Sequence, residues 1–218
     1  KFELVDEPGT YVLAWTTTPW TLPGNTALAI NKDIEYVKLA YAEEGKTENS
    51  ITDLHFKKII ISKKYFETAF QKGDVNGKDI YSFEKNIFSL EDSFTGEKLI
   101  GKYYKPLFIY FENADIENKE NIWKIWHADF ITEDAGTGIA HEAPAFGAED
   151  MDLAKTNNMP IIKHIKMDGT FISTVTDFAG MKVKVAGDSQ SADIEIIKWL
   201  AHNGKLFEKH KIIHSYPL

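Results

Sequence analysis

The 218-residue chain contains no cysteine. Disulfides, thiolate metal sites and a cysteine nucleophile are thereby excluded. It contains no arginine either, all 25 basic residues being lysines. Planar bidentate forks for phosphate are therefore missing, and phosphate contacts fall to lysine side chains and backbone amides. Long apolar runs are also absent. The longest are short, such as Ile59–Ile61 and Ile161–Ile162, far below the roughly 18 residues a membrane span needs. The opening Lys1-Phe2-Glu3-Leu4-Val5 reads as a first strand and shows no signal-peptide core. The chain is accordingly expected to be cytoplasmic, with no membrane partner.

What is present is ordinary for a globular protein: 43% hydrophobic and 27% charged residues. The length allows one large domain or two small ones with a sizeable core. The net charge of −8 opposes non-specific nucleic-acid binding, because cationic neutralisation of phosphates supplies most of that affinity. An RNA partner would have to be gripped locally, or with help from other parts of a larger protein.

No fixed-period repeat is evident. Strands are predicted at Tyr11–Trp15, Thr26–Ile30, Tyr36–Ala40, Ile59–Ile61, Ile122–Ile131 and Gly136–His141, with a strand and bend across Leu99–Leu107. The two prolines and glycine between Thr16 and Asn25 predict a structured loop. Residues 41–56 read as an irregular, polar insertion. Helices are expected at Ser62–Lys72, ended by Gly73, at Asp150–Asn157, and at Ser191–His202, ended by Gly204. The sum is a β-dominated α+β fold with a closed or partly closed, barrel-like core and short peripheral helices.

Two segments concentrate chemistry. Thr16-Thr17-Thr18-Pro19-Trp20-Thr21-Leu22-Pro23-Gly24-Asn25 sets hydroxyls, an indole and an amide on a proline-stiffened loop. Thr and Pro serve equally well as plain strand and loop formers; as a pocket wall they would hydrogen-bond a polar ligand and position water. Gly136-Thr137-Gly138-Ile139-Ala140-His141-Glu142-Ala143-Pro144-Ala145-Phe146-Gly147-Ala148-Glu149-Asp150 is the second. His141 would suit a satisfied core position, and the acids a helix N-terminus. Alternatively Asp150 pairs with a ligand ammonium and His141 lines the same pocket. Metal-ligand and Ser-His-Asp spacings are missing from the sequence.

Both segments resemble the editing (CP1) domain of isoleucyl-tRNA synthetases. Gly101–Phe108, Asp168–Phe171 with Phe178–Gly180, and His214–Pro217 resemble further family elements in the family's order, so the likeness covers nearly the whole chain. Valyl and leucyl editing domains carry Thr-Thr-Arg-Pro where this chain has Thr16–Pro19, which favours the isoleucyl branch. Gly24 stands where the family commonly has alanine. The His-Ile-Gly-His and Lys-Met-Ser-Lys-Ser signatures of the synthetic site are absent from the sequence.

The resemblance implies that residues 1–218 are a single editing domain, an insertion within a larger synthetase. It implies hydrolysis of misacylated Val-tRNA(Ile), and with it the tRNA 3′ end, the rest of the synthetase and valyl-adenylate as partners. No cofactor is expected; ATP and metal belong to the synthetic site. The implied catalytic residues are Thr17, Thr18, Asn25, His141 and Asp150. Thr16, Trp20, Thr21, Gly138, His141, Ala143, Phe146 and Asp150 would contact substrate. Asp150 should face the threonine loop across one cavity. A non-catalytic RNA-binding relic, a small-ester hydrolase and an editor of another amino acid are the rival readings.

Overall fold

The computed structural model describes residues 1–44, 54–185, 187 and 190–209. Its strands are β1 (Phe2–Glu3), β2 (Thr10–Val12), β3 (Ala27–Ile30), β4 (Glu35–Glu44), β5 (Leu54–Ser62), β6 (Gln71–Val75), β7 (Lys78–Phe83), β8 (Asn86–Thr95), β9 (Lys124–His127) and β10 (Ala140–Glu142). The helices are α1 (Lys63–Ala69), α2 (Ala148–Thr156) and α3 (Ser191–His202).

Seven strands form one mixed sheet in the order β1-β2-β5-β4-β8-β7-β6, and three form another, β10-β3-β9. Ile59, Ile60 and Ile61 in β5 are all buried. A continuous apolar run of this kind marks a strand covered on both faces. Among the described residues no continuous ladder closes into a barrel. Isolated bridges instead stitch the two sheets together: Trp15 to Ala140, Tyr103 to Lys124, and Leu4 to Tyr104. Passing through β1, β2, β10, β3, β9 and the Tyr103–Tyr104 segment, these bridges complete a small ring. Leu4, Val12, Leu28, Ile30, Tyr104, Ile125 and Ile139 belong to its buried core.

Several predicted boundaries move. Residues 41–44 continue β4 and 54–56 begin β5, so those parts of the expected irregular insertion are strand; 45–53 lie outside the described residues, as does His214–Pro217. Helix α1 is shorter than predicted. Ser62 caps it by accepting the Tyr65 N–H at 3.2 Å, and Phe70 turns extended at its end. Gly73 does not terminate it but lies inside β6, opposite Ile80. The β6–β7 hairpin turns at Asn76-Gly77, both at positive φ, the strongest short hairpin signal in a sequence and one the pattern reading missed. Leu99–Leu107 forms no strand; it makes single bridges only.

Candidate active site

The threonine loop folds as a 3-10 helix over Pro19–Gly24. Proline at its first position fixes φ and removes an N–H that would have no partner there. Thr18, its N-cap, gives no side-chain cap. The Trp20 N–H is taken instead by Asp193 Oδ1 of α3 at 2.8 Å. A carboxylate from a distant helix thus anchors the loop, a tie invisible in sequence. Thr16 Oγ1 accepts the Thr18 N–H at 3.0 Å, while the Thr17 and Thr18 side chains are exposed.

Thr21 joins this loop to the second segment. Its hydroxyl donates to the Thr18 carbonyl at 2.8 Å and lies 2.8 Å from His141 Nε2. With the hydroxyl proton committed to Thr18, His141 Nε2–H is the donor to Thr21, which fixes the tautomer by its bonding pattern. Burial outweighs the pull of Asp150 and pushes His141 down to about 4. The imidazole is therefore neutral at physiological pH.

Asp150 sits in the first turn of α2, where the helix dipole favours a carboxylate. Its Oδ2 accepts the Ala143 N–H at 2.8 Å. The side chain folds back over Gly147, where a Cβ would meet Asp150 Oδ1 at 2.3 Å. Ala143 is buried and contributes its amide. Phe146 packs edge-on against Trp20, centroids 5.2 Å apart. The two segments expected to share a site therefore touch each other.

Two residues expected at the site, Asn25 and Gly138, are engaged within the fold. Asn25 is buried, and its amide is occupied internally. Its Nδ2 donates to the Ala27 carbonyl at 2.8 Å, and its Oδ1 accepts the Tyr104 hydroxyl at 2.7 Å. In this structure it braces the ring. Gly138 is buried at φ 70° with its carbonyl held by the Tyr36 hydroxyl at 2.8 Å. A Cβ there would stand 2.6 Å from Ser62 Cβ, so this glycine serves close packing. The expected shared cavity also differs. A cavity of about 600 Å³ lies along the loop, lined by Trp15, Thr16, Thr17, Pro19, Asp193 and Lys205 among others. Neither His141 nor Asp150 lines it.

Sequence reasoning missed His164. This fully buried ring donates from Nε2 to the Trp20 carbonyl at 3.0 Å and packs 4.8 Å from Phe146. Burial pushes it down to about 4. A Cβ at Gly24 would fall 2.0 Å from His164 Nδ1. The glycine that departs from the family pattern is thereby explained: His164 occupies the space an alanine methyl would need. Glu142, beside His141, is 1% exposed and was likewise unassigned. No group of acidic or histidine side chains suited to a metal ion occurs among the described residues, nor does a helix long and apolar enough to cross a membrane.

No protein-family model matches the chain. Curated isoleucine–tRNA ligases do. That of Bdellovibrio bacteriovorus is 36% identical over 217 residues, covering 99% of this chain and 18% of the relative. That of Treponema denticola is 37% identical, covering 95% and 17%. The cytoplasmic isoleucine–tRNA ligase of Schizosaccharomyces pombe is 34% identical, covering 99% and 18%. The chain thus spans less than a fifth of the length of the relatives it matches. Among solved structures, the editing domain of the P. knowlesi cytosolic leucyl-tRNA synthetase superposes with a TM-score of 0.52. It covers 90% of this chain and 82% of that domain at 11% identity, a likeness of fold. Sequence and architecture together make this chain a member of the isoleucine–tRNA ligase family, folded as a class I synthetase editing domain.

Proposed function

We propose that the chain hydrolyses misacylated tRNA, and that its substrate is Val-tRNA(Ile). The contact of the Asp150–His141 segment with the threonine loop carries this reading, because it ties a neutral imidazole, in a segment that also holds the Asp150 carboxylate, to the loop that bears the exposed Thr17 and Thr18. Isoleucine and valine differ by one methylene. A hydrophobic pocket separates them by only about 1–3 kcal/mol, a limit for which isoleucyl synthetases are the usual illustration. A second site that accepts the smaller residue and rejects the larger supplies the remaining fidelity.

Asp150 pairs with the α-ammonium of the aminoacyl group. His141, held rigid by Thr21, limits the side chain admitted, with Trp20 and Phe146 as the apolar wall. Thr17 and Thr18 hydrogen-bond the substrate or the attacking water. An aminoacyl ester is already activated, so positioning and hydrogen bonding suffice and no covalent nucleophile is required. The tRNA 3′ end and the rest of a synthetase are partners in this reading, and valyl-adenylate is a second substrate.

Deacylation of Val-, Thr- and Ile-tRNA(Ile) tests it. Cleavage of the valyl ester with sparing of the isoleucyl ester is expected; turnover of simple esters without tRNA would point to a small-molecule hydrolase. Asp150→Ala should abolish valyl deacylation in a folded protein, and near-normal hydrolysis would refute the ammonium role. His141→Ala should extend cleavage to Ile-tRNA(Ile). A variant that still spares the isoleucyl ester removes His141 as the size gate.

A further inference from the structure

The proofreading reading leaves one buried acid without a task. Glu142 follows His141 on β10. Its backbone is fixed: the carbonyl accepts the Thr26 N–H at 3.0 Å. Its side chain is sealed from solvent, and Oε2 receives no N–H or O–H. An ionised carboxylate only accepts, so that oxygen would be a buried acceptor with nothing to accept. Carrying a proton, the carboxyl becomes a donor, and the acceptor brought beside it is Asp150, whose Oδ2 takes the N–H of the very next residue, Ala143, at 2.8 Å. Asp150 is the more exposed member of the pair.

Building on the editing reading, we propose that Glu142 is a positioning residue: it keeps its proton, donates its O–H to Asp150, and so aims that carboxylate at the substrate ammonium. Two neighbouring carboxyls do not both ionise readily. Holding the proton on the buried member leaves the negative charge on the one a ligand can reach. Burial first, then Asp150 and Glu149 of α2, push Glu142 up to about 8. The remaining titratable group acting with it is the neutral Tyr104 phenol, bound to Asn25.

The test measures deacylation of Val-tRNA(Ile) by the full-length protein with Glu142→Gln, Glu142→Leu and Asp150→Asn, from mildly acidic to mildly alkaline pH. Glutamine keeps an N–H donor and should stay within about threefold of wild type, whereas leucine should lower kcat/KM by roughly tenfold to a hundredfold, as expected for a lost hydrogen bond to a charged group. The ratio of wild type to the glutamine variant should fall as pH rises through about 8, since only the glutamate can lose its donor. Substrate titration is common to both and cancels. A leucine variant as active as wild type, a folded glutamine variant as impaired as leucine, or a flat ratio would overturn the assignment. Should the leucine variant fail to fold, the pH ratio alone decides. If wild type leaves Val-tRNA(Ile) intact, or Asp150→Asn cleaves it normally, the editing reading fails as a whole. If both behave as expected and leucine is silent, only the role of Glu142 is lost.

Discussion

The ring that carries the site and the outer arm built from β6, β7 and β8 are stabilised by different physics. In the ring, all four residues of β3 are buried, and polar groups are buried with them: Thr21, Asn25, Thr26, Glu142 and His164. Directional bonds hold many of these groups, such as Tyr104 to Asn25 and Thr21 to His141. In the arm, every residue of β6 is exposed. What secures it is a cluster of aromatic rings beneath: Phe66, Phe70, Phe83 and Phe88 packed with Tyr41. Hydrogen bonds lose value steeply when an angle or a tenth of a nanometre is wrong, while apolar burial is non-directional. The ring therefore specifies positions, and the arm chiefly contributes stability. Chemistry is expected where positions are specified.

The largest effect that would sharpen this contrast is Phe88→Ala. Phe88 is 1% exposed, with ring centroids 5.1 Å from Phe70 and 5.2 Å from Tyr41. Truncating such a side chain costs about 3–5 kcal/mol. Denaturant unfolding should show that loss while deacylation per folded molecule stays at wild-type level. A drop in specific activity at full folding would show the arm reaching the site, and the contrast would fail.

Gly147→Ala makes the converse test, with a smaller effect on stability. Gly147 has φ −132°, a conformation alanine adopts without strain. The added methyl, however, would enter the space of the Asp150 carboxylate. Misplacing a substrate-binding group by about 1 Å can cost roughly a hundredfold in rate. Valyl deacylation should fall by about that factor while the thermal midpoint moves little. Unchanged activity would show that the folded-back pose of Asp150 is not the productive one.

How much of this was legible beforehand follows the same division. The threonine loop and the His141–Asp150 segment announced themselves, because prolines, glycines and hydroxyls in that order are rare by chance and match a family pattern. Their contact was inferred from the family; no periodicity places Thr21 against a ring 120 residues later. His164 and Asp193 were missed for that reason. Each acts through a single long-range bond to Trp20, and one sequence has no means of displaying such a pair. Asn25 was read as a substrate or water contact because it closes the family motif; its burial and its bonds to Ala27 and Tyr104 are features only the fold reveals. The arm strands were passed over because exposed strands lack a clean alternation, although Asn76-Gly77 marked the hairpin outright.

The smallest expected effect is Ile87→Lys. Ile87 lies on β8 opposite Ser82 and is 61% exposed. Little apolar surface is buried there, no hydrogen bond of the side chain is lost, and lysine leaves the ladder bonds in place, since these come from the backbone. Surface substitutions of this kind usually change stability by no more than about 0.5 kcal/mol. Both the denaturation midpoint and valyl deacylation should therefore match wild type within error. A loss well above that size, measured on the full chain, would mean that Ile87 is covered in the intact protein, and that the arm contributes an interface as well as stability.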